Sequence, residues 1–310
     1  MNTAYPHLSP LALAAMAMPV PQRSDWTCRD RFIVHEQINA IFKVTDMLVN
    51  SRGRVRARGL VVSGVGGSGK TMIANAVLRR YPEQDNTDAT DAAQPVVRIT
   101  MTNAREASKI FSRTLRALGC PHIASYTNDE REELVIELLR GAGVRMLIID
   151  EIQDLLKRSA RQMENAFEGI KYLMNEAEIS VLALGTEHAQ QAMMREEHLV
   201  TRFRSVKLPL WRAGELLANF LDELESCLPL PERSRLSTPA IQRLLVKASK
   251  GRLDLIVERV VFAAALAIEE GISRIDERFL ERAESEIPAY FSGRKASREP
   301  PPETPPGRTP

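Results

Sequence analysis

The sequence predicts an α/β fold, in which helices cover both faces of a parallel sheet and a small helical domain follows. Short apolar runs alternate with stretches of helical periodicity up to Trp211, as expected for right-handed strand–helix–strand crossovers. Beyond Trp211 only helical patterns continue. The chain has 310 residues, which is enough for one large domain and one small domain.

Hydrophobic periodicity places the elements in order. A helix over residues 34–49 precedes the first strand. The predicted strands cover residues 58–63, 95–101, 144–150, 179–185 and 203–208. The helices after the first strand cover residues 70–80, 104–118, 129–140, 161–176, 213–226, 239–249, 253–269 and 276–286. We therefore expect a flexible segment over 1–28, an α/β domain over 29–211, a helical lid domain over 212–287 and a disordered proline-rich tail over 288–310.

Composition excludes several classes of protein. With 44% hydrophobic and 26% charged residues the chain is typical of soluble globular proteins. The formal net charge is only +2, so any nucleic-acid binding must come from local basic patches. Three cysteines far apart predict reduced thiols rather than a disulfide framework. Because the longest apolar runs are shorter than a membrane span, we expect a cytoplasmic protein with no membrane partner.

A glycine-rich loop joins the first strand to the next helix. Residues 64–71 read GVGGSGKT and fit the phosphate-loop pattern GxxxxGK[ST]. The expected phosphate-binding residues are Gly64, Val65, Gly66, Gly67, Ser68, Gly69, Lys70 and Thr71. Glycines let backbone N–H groups turn toward phosphate oxygens, while Lys70 reaches the β- and γ-phosphates and Thr71 coordinates Mg²⁺. The loop predicts ATP and Mg²⁺ as cofactors.

Two acids follow the strand over residues 144–150. Asp150 lies at the carboxyl end of this strand, where ligands bind in parallel sheets, and is expected to hold Mg²⁺ through water. Glu151 is the expected group that polarises the attacking water. An Asp-Glu pair alone is usually a helix N-terminal cap. Combined with the phosphate loop, the pair favours ATP hydrolysis.

Three further side chains are candidate catalytic groups. Thr186 ends the next strand and either contacts the γ-phosphate and the attacking water or caps a helix. Arg202 precedes Phe203 and either contacts the γ-phosphate of a neighbouring subunit or is solvated. Arg204, which follows Phe203, is the alternative candidate for the contact with the neighbouring subunit. Arg252 begins a helix, where a cation opposes the helix dipole, and contact with phosphates would explain its placement.

In this order the motifs resemble those of AAA+ ATPases. Residues 29–287 resemble the TniB/TnsC group of transposition ATPases, through the stretches DRFIVHEQI, GVGGSGKT, LIIDEIQDLL, TRFRSVKLPLW and SKGRLDLI. The resemblance implies an ATP-dependent homo-oligomer, ring or helical filament, that binds double-stranded DNA. It also implies that the oligomer recruits a DDE-type transposase and uses ATP hydrolysis as a switch.

The sequence also contains a candidate DNA-binding stripe. Four basic residues with helical spacing share one helix face: Arg105, Lys109, Arg113 and Arg116. They could track a phosphate backbone or simply form the solvated face of an amphipathic helix. A second basic cluster, contacting either DNA or another subunit, comprises Arg52, Arg54, Arg56 and Arg58.

Two other functions fit the motifs less well. A loader or motor, such as a helicase loader or a secretion ATPase, is one alternative; the basic stripe and the lack of a membrane segment argue against the secretion version. A nucleotide-dependent scaffold that hydrolyses little ATP is the other. Glu151 argues against the scaffold, because a scaffold needs no group to activate water.

Overall fold

The computed structural model describes residues 5–51, 57–83, 94–104, 106–120, 126–156 and 160–294. The chain forms two compact units. The sheet unit comprises Phe32–Trp211 and Arg252–Asp254, and the helical unit comprises Met1–Arg31, Arg212–Gly251 and Leu255–Pro310. Among the described residues, no helix combines the length and the apolarity that a bilayer crossing requires.

Five strands and fourteen helices make up the described structure. The strands are β1 (Gly59–Ser63), β2 (Val96–Thr100), β3 (Met146–Asp150), β4 (Ser180–Gly185) and β5 (Phe203–Lys207). The helices are α1 (Pro10–Ala15), α2 (Val20–Thr27), α3 (Glu36–Val49), α4 (Lys70–Arg80), α5 (Lys109–Ala117), α6 (Asn128–Gly141), α7 (Gln153–Leu156), α8 (Ala160–Glu176), α9 (Glu187–Arg195), α10 (Glu197–Val200), α11 (Glu215–Ser226), α12 (Pro239–Ser249), α13 (Leu253–Glu269) and α14 (Glu277–Arg294).

The sheet is parallel throughout, with strand order β2-β3-β4-β1-β5. Every residue of the central strands β1, β3 and β4 is buried, which explains why these strands are almost continuously apolar in sequence. Alternate side chains enter two separate cores: Val61 and Ile149 join one, while Val62 and Ile148 join the other. The predicted α/β class, with helices on both faces, is confirmed.

This topology brings three strand ends together at one edge of the sheet. Ser63 of β1 pairs in register with Gly185 of β4, and Ile149 of β3 pairs with Ala183 of β4. The segments that leave β1, β3 and β4 at their carboxyl ends are therefore neighbours. They are the phosphate loop, the Asp150-Glu151 pair and Thr186.

One helix of the sheet unit is shorter than predicted. The pattern over 104–118 predicts a single helix, but α5 begins only at Lys109. The N–H groups of Lys109 and Ile110 donate to carbonyl oxygens only three residues back, Glu106 O at 3.2 Å and Ala107 O at 3.1 Å, so tight turns and not an α-helix precede Lys109. Asn103, just before the predicted helix, adopts a left-handed backbone with φ of 58°. Its backbone N–H donates to Asp154 Oδ2 at 2.9 Å, so a tertiary contact stabilises the turn before the helix.

The N-terminal segment differs more strongly from its prediction. Residues 1–28 are expected to be flexible, whereas the structure contains α1 and α2 there, with Ala12 and Ala15 fully buried in the helical unit. Ser9 N donates to Ser226 O at 2.8 Å, and Ser24 Oγ donates to Glu269 Oε1 at 2.6 Å. Ser9 also caps α1 just before a proline, a helix-start signal that the hydrophobic pattern does not contain.

At the other end of the chain, α14 extends past the predicted start of the tail. It runs to Arg294, so the first residues of the predicted segment 288–310 continue the helix. The remainder, 295–310, lies outside the described residues.

Candidate functional site

The phosphate loop leaves β1 directly and ends in α4. Gly67 and Gly69 adopt left-handed backbone conformations with φ of 77° and 87°, which other residues rarely adopt. Gly64 N donates to Gly185 O at 3.2 Å, which fixes the start of the loop against the end of β4. The loop therefore has the strand–turn–helix setting in which backbone N–H groups can bind phosphate.

Lys70 begins α4 with its side chain beneath the loop. Its Nζ atom donates to Gly64 O at 3.0 Å, Val65 O at 2.8 Å and Ser68 Oγ at 3.3 Å, and the residue is only 7% exposed. Burial lowers the pKa of Lys70, and the nearby carboxylate of Glu151 partly opposes that shift. The ammonium group is thus held against the backbone of the loop.

Asp150 is the buried centre of the polar cluster at this edge. Its Oδ2 atom accepts from Thr71 Oγ1 at 3.0 Å and from Arg98 Nη2 at 2.8 Å. Arg98 also donates to Asn75 Oδ1 on α4. Thr71 and Asp150 present adjacent oxygen atoms, the donor type that Mg²⁺ prefers, and their placement fits a Mg²⁺ site.

Arg98 was not among the predicted site residues. A signal for it exists, since it is the one charged residue in the otherwise apolar run of β2, VVRIT. Its ion pair with Asp150 bridges β2 and β3, so Arg98 holds the carboxylate oriented toward Thr71. The pairing depends on the two strands being neighbours, which the sequence pattern alone does not specify.

Glu151 follows β3 in a left-handed conformation with φ of 57°. Strained backbone of this kind in a non-glycine residue recurs at active sites, although it also occurs in turns and at helix ends such as Lys250. Its backbone N–H donates to Asp150 Oδ1 at 3.0 Å, and Gln153 Nε2 donates to Glu151 Oε2. Gln153 Oε1 is buried and has no hydrogen-bond partner among the described residues. Gln153, also missed in the sequence, therefore orients the Glu151 carboxylate.

Thr186 and Arg252 both lie next to the loop. Thr186 Oγ1 accepts from Ala189 N at 3.4 Å and so caps α9, the simpler of its two predicted roles. Arg252 pairs with Asp254 at 2.6 Å, and Asp254 N donates to Gly67 O at 3.1 Å, all within the sheet unit. A side chain at Gly67 would collide with the Asp254 carboxylate. Thr186 retains a hydroxyl proton that it can donate.

Arg202 lies at the opposite edge of the sheet. Its carbonyl oxygen accepts from Gly59 N at 3.1 Å, at the start of β1, whereas the phosphate loop follows the end of β1. Its Nη1 atom donates to Asn175 Oδ1 at 2.6 Å. Arg204 is exposed on the edge strand β5. Neither arginine is placed at the site of its own chain.

The predicted DNA-binding stripe is not a uniform row of solvent-facing cations. Lys109 and Arg116 are exposed on α5. Arg113 is half-buried and donates to the carbonyl oxygens of Thr100 and, at 2.8 Å, Thr102, so its guanidinium secures the end of β2. Arg105 lies outside the described residues, as do the other predicted cluster members 52–56, while Arg58 is exposed.

Comparison with known proteins places this geometry in context. The sequence model of the family described as Bacterial TniB protein matches residues 23–213. No curated protein matches the chain. Solved structures share its fold: Aeropyrum pernix ORC2 in ADPNP-ADP complexes has a TM-score of 0.59 and 16% identity, covering 83% of this chain and 70% of its own.

Two further structures are similar to the same extent. Aeropyrum pernix ORC1 in complex with DNA has a TM-score of 0.59 and 15% identity over 85% of this chain and 69% of its own. Cdc6p from Pyrobaculum aerophilum has a TM-score of 0.58 and 16% identity over 88% of this chain and 70% of its own. At these identities the likeness concerns the fold alone, which is that of AAA+ P-loop ATPases.

Proposed function

Because the chain belongs to the TniB family, we propose that it is an ATPase that assembles on double-stranded DNA and regulates transposition. The observation that carries this proposal is the convergence of Lys70, Thr71, Asp150 and Glu151 at one edge of the sheet. These side chains supply a phosphate cation, two Mg²⁺ ligands and an acceptor for the proton of water. The proposed location is cytoplasmic and the proposed partner is a DDE-type transposase.

In the proposed reaction each of these side chains has a separate role. The loop N–H groups and Lys70 bind the β- and γ-phosphates, and Thr71 and Asp150 hold Mg²⁺, which neutralises phosphate charge when bound. Glu151 accepts a proton from the water that attacks the γ-phosphorus. The new oxygen–phosphorus bond forms as the bond to the β-phosphate oxygen breaks, giving ADP and inorganic phosphate.

Neighbouring groups complete the proposed site. Gln153 holds the Glu151 carboxylate through its N–H, and Thr186 donates its hydroxyl proton toward the attacking water or the γ-phosphate. Arg252 can exchange its ion pair with Asp254 for a phosphate oxygen. Gln153, Thr186 and Arg252 all belong to the sheet unit.

Arg202 is proposed to act on the γ-phosphate of an adjoining subunit, because it lies at the far edge of its own sheet. Arg202→Ala and Glu151→Gln chains should each be inactive alone. Mixed in equal amounts, they should recover roughly a quarter of wild-type turnover, since one interface in four pairs an intact Glu151 with an intact Arg202. Steady-state phosphate release measures this recovery.

Arg204→Ala provides the matched control for this mixture, because Arg204 flanks the same phenylalanine and is exposed. It should retain wild-type turnover. No recovery at any mixing ratio, with mixed oligomers demonstrated by differential tags, would contradict the role of Arg202 in a neighbouring site.

We propose that DNA contact involves the exposed cations of α5, Lys109 and Arg116. Lys109→Ala combined with Arg116→Ala should weaken binding to unrelated duplexes by similar factors, because phosphate contacts do not depend on sequence. The slope of log affinity against log salt should flatten by about 1 to 2 units, since each side chain neutralises about one phosphate. Filter binding at several salt concentrations, with a non-hydrolysable ATP analogue, provides the measurement.

The matched control for the DNA experiment replaces the exposed Arg243 of α12 by alanine. This change should leave the salt slope unaltered. An unchanged affinity and slope in the Lys109/Arg116 variant would remove α5 from the DNA interface and make the cluster around Arg58 the next candidate.

A further inference from the structure

A basic pocket lies within the helical unit, apart from the proposed nucleotide site. The pocket is open to solvent and has a volume of about 500 Å³. Its walls are formed by Pro6, His7, Pro231, Glu232, Arg233, Arg235 and Arg274. Three arginines thus converge on one concavity from two separate chain segments, and the N-terminal segment supplies a further wall.

Buried hydrogen bonds hold these segments rigidly. Glu225 of α11 is buried, and its carboxylate accepts from the backbone N–H groups of Ser234, Arg235 and Leu236 at 2.9, 3.2 and 2.8 Å. Arg235 is held in a left-handed conformation with φ of 57°. A carboxylate that accepts three backbone donors fixes the direction in which the neighbouring side chains leave the backbone.

The segment that carries Arg274 is hydrogen-bonded to the segment that carries Arg233 and Arg235. Ile275 N donates to Ser234 Oγ at 3.0 Å, and Glu232 N donates to Ser273 O at 3.0 Å. His7 Nε2 lies 3.2 Å from Leu230 O, which attaches the N-terminal wall. The backbone of the pocket is therefore held in place, and a ligand would have to order only the exposed side chains that line it.

The arginines of the pocket have no internal partners within the part of the chain that the structure describes. Arg233, Arg235 and Arg274 are exposed, and none of them forms an ion pair there. By contrast, Arg80 and Arg282 on other surfaces pair with carboxylates at 2.7 and 2.6 Å. Glu232 contributes the one carboxylate to the lining, so the pocket carries a net positive charge.

We propose that this pocket binds an acidic peptide segment of a partner protein. Guanidinium groups pair with carboxylates through two parallel hydrogen bonds, a geometry that suits converging arginines. The exposed Glu232 carboxylate can accept a hydrogen bond from a ligand N–H group, which a peptide backbone offers and the phosphodiester backbone of DNA lacks. Pro6 and Pro231 provide apolar walls for the aliphatic parts of a peptide.

Fluorescence anisotropy with the full chain tests this binding. The probes are a fluorescein-labelled peptide of alternating glutamate and alanine and its glutamine–alanine counterpart. The wild type should bind the acidic peptide at least about 10-fold more tightly than the neutral one. Arg233→Ala combined with Arg274→Ala should weaken acidic-peptide binding by a similar factor, while Arg243→Ala, an exposed arginine of the same unit that does not line the pocket, should not.

The same variants are tested for ATP hydrolysis and for binding to a DNA duplex, both of which should stay at wild-type levels. These measurements separate a failure of the pocket from a failure of the proposed ATPase function. Equal affinity of the wild type for both peptides, or of wild type and double variant for the acidic one, would overturn the proposal. A loss of duplex affinity as large as the loss of peptide affinity would also overturn it, in favour of a general polyanion site.

Discussion

Glu151→Gln is expected to lower ATP turnover by roughly 10² to 10⁴-fold, the usual contribution of a general base. The amide preserves the size of the side chain but cannot accept the proton of the attacking water. ATP affinity should stay close to that of the wild type, because Lys70 and the loop N–H groups bind the phosphates. Turnover is measured by phosphate release, and affinity by titration with a fluorescent ATP analogue.

Glu168→Gln on α8 is the matched control, because Glu168 is an exposed carboxylate paired with Lys171. It should hydrolyse ATP at the wild-type rate. Equal turnover by the wild type and Glu151→Gln would show that another group activates water, and the assignment of Glu151 would then be wrong.

Lys70→Ala is expected to weaken ATP binding by at least about 30-fold. Removing one member of a buried, hydrogen-bonded charge pair costs about 2 kcal/mol or more, and the β- and γ-phosphates lose their cation. The wild type and Lys70→Ala should bind adenosine, which lacks phosphates, with the same affinity. Isothermal titration with ATP and with adenosine gives the comparison.

Lys70 also donates to three acceptors of the loop, so its loss affects the free protein as well. Lys70→Met, which keeps much of the apolar stem, separates charge from packing: it should lose ATP affinity as Lys70→Ala does. Wild-type affinity in Lys70→Met would contradict a phosphate contact by this side chain.

The sequence predicts the sheet well, and it predicts which chain segments meet at one edge of the sheet, for a physical reason. Buried parallel strands read as apolar runs, and the carboxyl ends of such strands meet at one edge. The phosphate loop and the Asp150-Glu151 pair each follow such a run, so their positions along the chain suffice to place them at the same edge. The observed strands begin or end within two residues of the predicted bounds, because burial ends where each apolar run ends.

The parts that sequence reasoning missed depend on contacts between distant segments. Arg98 of β2 reaches Asp150 on the neighbouring strand β3. Glu225 accepts hydrogen bonds from the backbone of a loop about ten residues further along the chain. Arg113 has the spacing of a solvent-facing cation, yet it donates to the carbonyl oxygens that end β2. Periodicity specifies which face a side chain lies on and leaves its partner unspecified.

The N-terminal helices α1 and α2 were missed for a different reason, because hydrophobic periodicity does not detect short helices with small buried residues. Ala12 and Ala15 are small, and their burial follows from close packing rather than from a strong apolar stripe. The start of α1 is nevertheless encoded locally, in the Ser9 cap and the proline that follows it. Capping residues would have predicted α1 where hydrophobic periodicity did not.

We propose that ATP drives assembly of this chain on double-stranded DNA. Negative-stain imaging of Glu151→Gln with a long duplex tests it most directly, because this variant should hold ATP without hydrolysing it. We expect ordered rings or filaments along the duplex with ATP and few or none with ADP or without nucleotide. Isolated subunits under all three conditions, or the same assemblies without nucleotide, would show that ATP does not drive assembly.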